Sequence, residues 1–436
     1  MVKVIVADKY YDSEHLLGQF LDESHYDILI EEDTDCYLPP LLGSDNPESE
    51  SRIAFKFRKN YFTKEEQDMA YKGLRDAATE TQNRGLAAGP REGKLGNREW
   101  VTEEEYDILD YFMKPTDNLF GEDPIDEIRK RHSGKKQQPS NRSNVWGIAT
   151  VKKDNFNFNE WVETTRSLDK DAMKAEAERV VSTYVCKTTY ANGVLSGIAG
   201  WYDRYPRIPY GRATSYTAKS PEKFEMAYPF LQHLAEGFEE LLPERYAAQM
   251  RAANQMDPRF LVPKTPFTTV TVNNTFRTAA HRDAGDLNEG LSNLLVISND
   301  GNYTGGYLIF PEVRVAVNVR PGDLLLVNNH EVIHANTPIV IVGETTERIS
   351  LVCYFREKML ELGSVEYEDC RFNFVESRKN NKEHPEWRPL WNGVSPSMWT
   401  SDEWYDFCEN ELGAEELFKY HPEARKQESS LESFFG

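Results

Sequence analysis

Between Phe267 and Phe355 apolar and polar positions alternate over short distances, in the runs PFTTVTVNN, SNLLVIS, GGYLIF, RVAVNV, DLLLV, TPIVIV and RISLVCYF. Runs of this length, rich in β-branched and aliphatic residues and broken by Gly-Gly and Pro-Gly-Asp, predict short strands joined by tight turns. Their density points to a double-stranded β-helix, a jelly roll of cupin-like form. The chain as a whole reads as α+β, with helices supporting that core.

Upstream the periodicity is mixed. VKVIVA, HYDILIE and RIAFKF predict strands, with HLLGQFL a short helix between the first two. Thr63 to Glu66 and Thr102 to Glu105 both have capping-box spacing, in which the threonine accepts from the third helical amide and the glutamate reaches back. The first box predicts a helix to about Thr81, the second a helix over EEEYDILDYF. Residues 156–190 read as helical, and VLSGIAGWYD and RATSYT as strands. Ser220-Pro221 marks a helix start and Pro229 requires a kink or a restart. Phe230, Leu234, Phe238 and Leu241 then share one face, suited to packing on a sheet. The glycine-rich NRGLAAGPREGKLGN lacks the Gly-Lys-Ser/Thr ending of a phosphate loop and reads as an irregular surface loop. Three regions are expected: an N-terminal α/β extension packed on the core (1–95), the core itself (96–365, its jelly roll at about 194–356), and an acidic, Trp-rich C-terminal extension (366–436).

Composition narrows the class. With 28% charged and 39% hydrophobic residues, the 436-residue chain is a globular protein with decorated loops. A net charge of -21 argues against non-specific attraction to nucleic acid or anionic membrane. One segment departs from that balance: Arg129, Lys130, Arg131, Lys135, Lys136 and Arg142 stand together with His132 and no acid among them. It reads either as a solvated loop or as a loop that follows a phosphate backbone. Cys36, Cys186, Cys353, Cys370 and Cys408 are odd in number and never at metal-finger spacing, so neither a disulfide framework nor a zinc module is expected and a reducing compartment is. The N-terminus lacks a cleavage signal and no apolar run approaches a membrane span. The expected location is cytoplasmic, or nuclear in a eukaryotic host, with no membrane contact and no obligate protein partner.

The chemistry sits inside the strand-rich stretch. His281-Arg282-Asp283 on an extended segment directs an imidazole and a carboxylate to one side, because strand side chains repeat every second residue. His334, 51 residues after Asp283, supplies a third ligand. Two histidines and one carboxylate on one face leave open positions for a chelating co-substrate and O₂, the pattern of non-haem Fe(II) oxygenases; a zinc hydrolase is the alternative for the metal. Arg348, 14 residues after His334, and Ser350 share a strand face, where a guanidinium fork and a hydroxyl suit the distal carboxylate of 2-oxoglutarate. His330 competes with His334 but falls in the turn NNHEV, which places it at the rim. Asn273 and Asn274 precede the triad on its leading strand, one of them facing the co-substrate or substrate, or both serving as ordinary sheet polar groups.

The run VNNTFRTAAHRDAGD, the strand GGYLIF and PGDLLLV…HANTPI…ERISLVCYFR resemble the TET/JBP branch of Fe(II)/2-oxoglutarate dioxygenases, which includes the thymine hydroxylases of base J synthesis and the 5-methylcytosine oxidases. The likeness is strongest over Thr268 to Arg356 and weaker upstream through RIAFKFRK, NRGLAAG and GIAGWYDR…RATSYT. The resemblance implies His281, Asp283 and His334 as Fe(II) ligands, Arg348 as the 2-oxoglutarate anchor and Ser350 as its helper. It implies oxidation of a pyrimidine 5-methyl group in DNA, to 5-hydroxymethyluracil or 5-hydroxymethylcytosine, while 2-oxoglutarate becomes succinate and CO₂. The base must leave the stack, so aromatic walls and a basic approach surface are expected, with Tyr303, Tyr307 and Trp201 as walls and Arg129–Arg142 as the approach. The cysteine-rich zinc region of animal TET proteins and a base-J-reading helical domain are not seen, which implies a stand-alone catalytic form. The rival readings are a prolyl-type or small-molecule 2-oxoglutarate hydroxylase, which the acidic surface suits, and a non-enzymatic cupin-like binding module, for which Arg348 would have no purpose.

Overall fold

The computed structural model describes residues 2–379 apart from 40–47, 82–83, 90–97, 101, 114, 116–122, 134–143, 150–156, 184, 190–192 and 205–207. Two facing sheets make the core. In the larger, strands run in the order Lys3–Val6, Thr34–Tyr37, Ile53–Arg58, Leu324–Val327, Ser292–Ser298, Arg348–Tyr354, Thr269–Asn274, Val194–Arg204 and Ile208–Ala213, with Thr79–Thr81 paired on Val194–Arg204. The smaller sheet is Ala335–Asn336, Leu308–Phe310, Val315–Val317 and Ile28–Ile30, beside the two-stranded ladder of Tyr303–Gly305 and Ile339–Ile341. This is the double-stranded β-helix that the strand density predicts.

Alternation along the strands divides the interior in two. Leu295, Ile297, Leu324, Leu326, Ile349, Leu351 and Cys353 face outward onto the helices Lys64–Leu74, Pro221–Met226 and Tyr228–Leu241 and bury against Leu74, Phe224, Phe230, Leu234 and Phe238. Their neighbours Leu294, Val296, Leu325 and Val327 face inward and meet Leu308, Phe310, Val315 and Val317 of the smaller sheet. A one-residue slip would exchange these two sets, so the register is firmly specified.

The first 58 residues are built into the barrel rather than laid on it: three of their strands extend the large sheet and Ile28–Ile30 adds a parallel strand to the small one. The Thr63 capping box forms as expected, but its helix ends at Leu74 rather than Thr81. Gly73 packs so tightly on the Pro221–Met226 helix that a Cβ there would stand 2.7 Å from the Lys223 carbonyl oxygen, and Thr79–Thr81 follows as a strand paired on Val194–Arg204. RATSYT is divided: the Ile208–Ala213 strand ends and Thr214 caps a short helix, Ser215–Lys219. Pro229 restarts the helix, in the first turn of Tyr228–Leu241.

Between the Thr79–Thr81 and Val194–Arg204 strands lies a separate lobe. Its strands are Arg98–Trp100, Asn144–Ala149 and Val185–Thr189; its helices are Glu103–Met113, Pro124–His132, Phe158–Thr165 and Lys170–Thr183. Ile108, Phe112, Ile128, Trp161, Val162 and Val180 form a core of its own. Beyond Phe355, the helix Val365–Lys379 begins the C-terminal extension, and Trp387, Trp391, Trp399 and Trp404 fall outside the described residues.

Candidate active site

The two arms of the His281, Asp283, His334 group meet at a single antiparallel bridge. His281 N–H donates to the His334 carbonyl at 3.1 Å and His334 N–H returns a bond at 3.0 Å. That bridge sets the imidazole rings 4.3 Å apart, centroid to centroid. The His281 Nδ1 lies 2.8 Å from the Ala279 carbonyl oxygen and the His334 Nδ1 lies 3.2 Å from that of Val332. Carbonyl oxygens accept only, so each Nδ1 carries the proton and each Nε2 keeps its lone pair. Both lone pairs face Asp283: its Oδ1 is 3.4 Å from the His281 Nε2 and 3.9 Å from the His334 Nε2. Asn329 orients the carboxylate, its Nδ2 donating to Oδ2 at 3.0 Å and its carbonyl accepting from Asp283 N–H, also at 3.0 Å.

One ligand atom from each residue lies within 4.8 Å of the others. Cis ligands bound at about 2.1 Å stand roughly 3 Å apart, so a small contraction brings all three onto one ion. His330 lines the same cavity and stays out of the group, next to Glu331 at 3.6 Å.

Burial, with His281 packed beside it, pushes the His334 imidazole from its ordinary 6.5 down to about 4, against the pull of Asp283. Burial works against ionisation of Asp283, but the two neighbouring histidines and the Asn329 amide hold its carboxyl down to about 2. At neutral pH the site is therefore one anion and neutral imidazole at His334, the protonation that a divalent ion requires. A histidine whose pKa is depressed on folding loses its stabilising contribution as pH falls from the unfolded value to the folded one. The metal-free protein should thus lose thermal stability between pH 6.5 and 4 through His334, with Asp283 adding a second loss from 3.8 towards 2. A His334→Asn variant should show a shallower decline of Tm across the upper window; curves parallel to wild type would refute this.

The triad opens into a cavity of about 570 Å³. Arg348 sits at one end, 2% exposed, beside Ser350 and Asn273. Its Nη2 donates to the Gly306 carbonyl at 3.1 Å, its Nε has no partner, and no carboxylate pairs with it among the described residues. Gly306, at φ +70°, makes the room: a Cβ there would stand 3.0 Å from the Arg348 Nε. An uncompensated guanidinium this deep is costly, and burial lowers its pKa accordingly. A carboxylate entering the cavity would satisfy it. Asn273 Nδ2 reaches the Ser350 Oγ at 3.5 Å and its Oδ1 accepts from Ser196, whereas Asn274 turns away to Glu347 at 3.0 Å.

None of the three expected aromatic walls lines this cavity. The Tyr303 ring lies 5.8 Å from the Arg348 guanidinium and 4.7 Å from that of Arg320, Trp201 packs on Phe224 in the helix layer, and Tyr307 joins the cluster around Ile309. Phe276 and Tyr354 are the aromatic residues that do line it.

Three polar groups were missed in sequence. Asp286, three residues past Asp283, accepts from Ser292; burial and the Asp283 charge raise its carboxyl to about 7. Arg356, just past the Arg348 strand, donates to Asp203 at 2.9 Å. Arg84, in the stretch read as a surface loop, lines the cavity, donates from Nη2 to the Gly197 carbonyl at 3.0 Å and has an unpartnered Nε. The HRDAGD and YFR strings hold the first two in plain view, but only a folded site says that they face it.

Residues 198–357 match the Tet_JBP family, described as the oxygenase domain of the 2OGFeDO superfamily. Similar proteins include the thymine dioxygenase JBP1 of Leishmania braziliensis, 32% identical over 205 residues (46% of this chain, 24% of that protein). That of Crithidia fasciculata is 33% identical over 196 residues (44% and 23%). The bifunctional helicase and thymine dioxygenase JBP2 of Trypanosoma brucei brucei is 34% identical over 198 residues (43% and 18%). The match thus spans about a quarter of the length of these relatives or less. A solved structure of NgTET1 in complex with 5mC DNA overlaps 50% of this chain and 73% of that one at 16% identity, with a TM-score of 0.32.

Proposed function

With residues 198–357 belonging to the TET/JBP family of oxygenase domains, we propose that this chain is an Fe(II)/2-oxoglutarate-dependent dioxygenase that hydroxylates the 5-methyl group of thymine or 5-methylcytosine in DNA. His281, Asp283 and His334 would hold the ferrous ion, and Arg348, with Ser350 and Asn273 beside it, the distal carboxylate of 2-oxoglutarate. Iron, 2-oxoglutarate and O₂ together would supply the oxidising power, with one oxygen atom entering the methyl C–H bond, the other leaving in succinate, and CO₂ released. The single observation that carries this reading is the pairing, in one cavity, of a His/Asp/His group with a buried guanidinium that has no anionic partner among the described residues.

The chain's own residues divide the remaining work. Phe276, Leu294, Leu308 and Val352 make the apolar lining that keeps bulk water from the reacting carbon. The cavity is also lined by Asp286, Tyr354, Arg356 and Arg84, donors and acceptors that would meet the polar edge of an extruded pyrimidine. Asp286 can present either a carboxylate or a carboxylic acid near neutral pH, and therefore accept from or donate to that edge. Arg129, Lys130 and Arg131 lie on the Pro124–His132 helix of the separate lobe, and Lys135, Lys136 and Arg142 outside the described residues. Lys130 and Arg131 are exposed, a placement that supports a backbone-contacting role despite the chain's net acidity. Among the described residues no helix is long and apolar enough to cross a membrane.

The test is incubation of the full chain with Fe(II), 2-oxoglutarate and duplex DNA, plain or CpG-methylated, followed by nucleoside mass spectrometry. A gain of 5-hydroxymethyluracil or 5-hydroxymethylcytosine is the expected result. Succinate formation without either product would move the substrate to protein or small molecules, and no succinate at all would end the oxygenase reading.

A further inference from the structure

We propose that Glu312 is a positioning residue for the His281, Asp283, His334 group, and that Tyr10 and Glu14, far upstream of the family-matched segment, complete the clamp it forms. The proposal rests on the metal-binding reading above. Glu312 follows the Leu308–Phe310 strand and is 1% exposed. Its Oε1 accepts from the Arg282 Nη2 at 2.6 Å and from the Tyr10 hydroxyl; its Oε2 accepts from the Ile333 N–H at 2.7 Å. Arg282 stands between two of the ligands and Ile333 directly precedes the third, so one carboxylate grips both arms of the site.

The remaining contacts close the clamp. Arg282 Nη1 reaches the Glu14 Oε1 at 2.9 Å, and its Nε donates to the Glu331 carbonyl at 2.8 Å, which uses every nitrogen of the guanidinium. Tyr11 N–H donates to the Glu312 carbonyl at 2.8 Å and ties the N-terminal segment to the same turn. Nearby, Gly18 N–H donates to the Ala280 carbonyl at 2.7 Å, and Ala280 N–H to that of Gln19 at 2.8 Å.

The backbone joins the arms by a few bonds, the pair between His281 and His334, Asp283 N–H to the Asn329 carbonyl and Asn336 N–H to the Thr278 carbonyl, and the clamp adds side-chain anchors behind them. His281 and His334 meet at an isolated bridge, and the chain from Arg282 to Leu291 runs in no strand. Ligand atoms that must converge within a few tenths of an ångström require anchoring by side chains behind them. Arg282 lines the cavity while its guanidinium engages this anchor, so its position between the ligands transmits the restraint directly to both.

The experiment measures Mn(II) affinity of the metal-free full chain by electron paramagnetic resonance, for wild type, Glu312→Gln and Tyr10→Phe, counted on folded protein. Glu312→Gln keeps the shape but offers an amide where Arg282 or Ile333 needs an acceptor; its dissociation constant should rise about 10- to 100-fold, the usual effect of losing a group behind a ligand. Tyr10→Phe removes one hydroxyl at a half-exposed site and should raise the constant roughly two- to tenfold, as the loss of one hydrogen bond does. Should Glu312→Gln not fold, Tyr10→Phe decides alone. Wild-type affinity in the folded variants would overturn the clamp, whereas absence of Mn(II) binding by the wild type would instead overturn the metal reading beneath it.

Discussion

Arg348→Met should weaken 2-oxoglutarate binding about thirtyfold or more while leaving the metal-free protein as stable as wild type or more so. The two effects come from one fact, that the guanidinium is buried and meets no anion among the described residues. In the metal-free chain it is a desolvated charge without compensation, and an apolar side chain of similar volume is then neutral or stabilising. With co-substrate present, the same group would form a charge-assisted pair, whose truncation costs about 2–5 kcal/mol, thirtyfold or more in affinity. Calorimetric titration of 2-oxoglutarate into the Mn(II)-loaded chain, beside thermal melts of the metal-free chain, reads both. Unchanged 2-oxoglutarate affinity, or a strongly destabilised metal-free variant, would make Arg348 a structural residue instead. Arg348→Lys should fall between, keeping the charge but losing the fork that matches a carboxylate.

His281→Ala should take succinate formation to background and weaken divalent-metal binding by more than about 100-fold, because groups behind a ligand are already worth 10- to 100-fold and His281 is itself placed to bind. The secondary structure should survive, since the His281 backbone, not its ring, makes the bridge to His334. Assay of succinate by mass spectrometry with circular dichroism of the same sample separates loss of metal from loss of fold. Residual turnover near wild type would mean that the converging imidazoles serve something other than the metal. His330→Ala, removing a histidine of the same cavity that stays out of the ligand group, is the matched control and should retain metal binding.

The strands of the barrel were legible because their signal is local. RISLVCYF alternates a cavity face (Arg348, Ser350, Val352, Tyr354) with a helix-facing set (Ile349, Leu351, Cys353), and this period-2 pattern needs no partner to be seen. The capping boxes at Thr63 and Thr102 are equally local and both form. The end of the first helix was not legible, because it is decided by Gly73 pressing on a helix some 150 residues further on and by the pull of Thr79–Thr81 onto a sheet edge.

The candidate site divides the same way. The types and spacing of His281, Asp283, His334, Arg348 and Ser350 were already informative in the bare sequence, since few chemistries use two imidazoles, a carboxylate and a distant guanidinium on neighbouring strands. Which histidine lies in the His/Asp/His group, how Asn329 and Glu312 contact its arms, and how Arg84 and Leu17 come to line the same cavity from roughly two hundred residues or more upstream are visible only in the fold. The physical reason is reach: side-chain periodicity is written within a few residues, whereas convergence on a common point depends on strand register and on loops that meet across the barrel, and those follow from the packing of the whole chain.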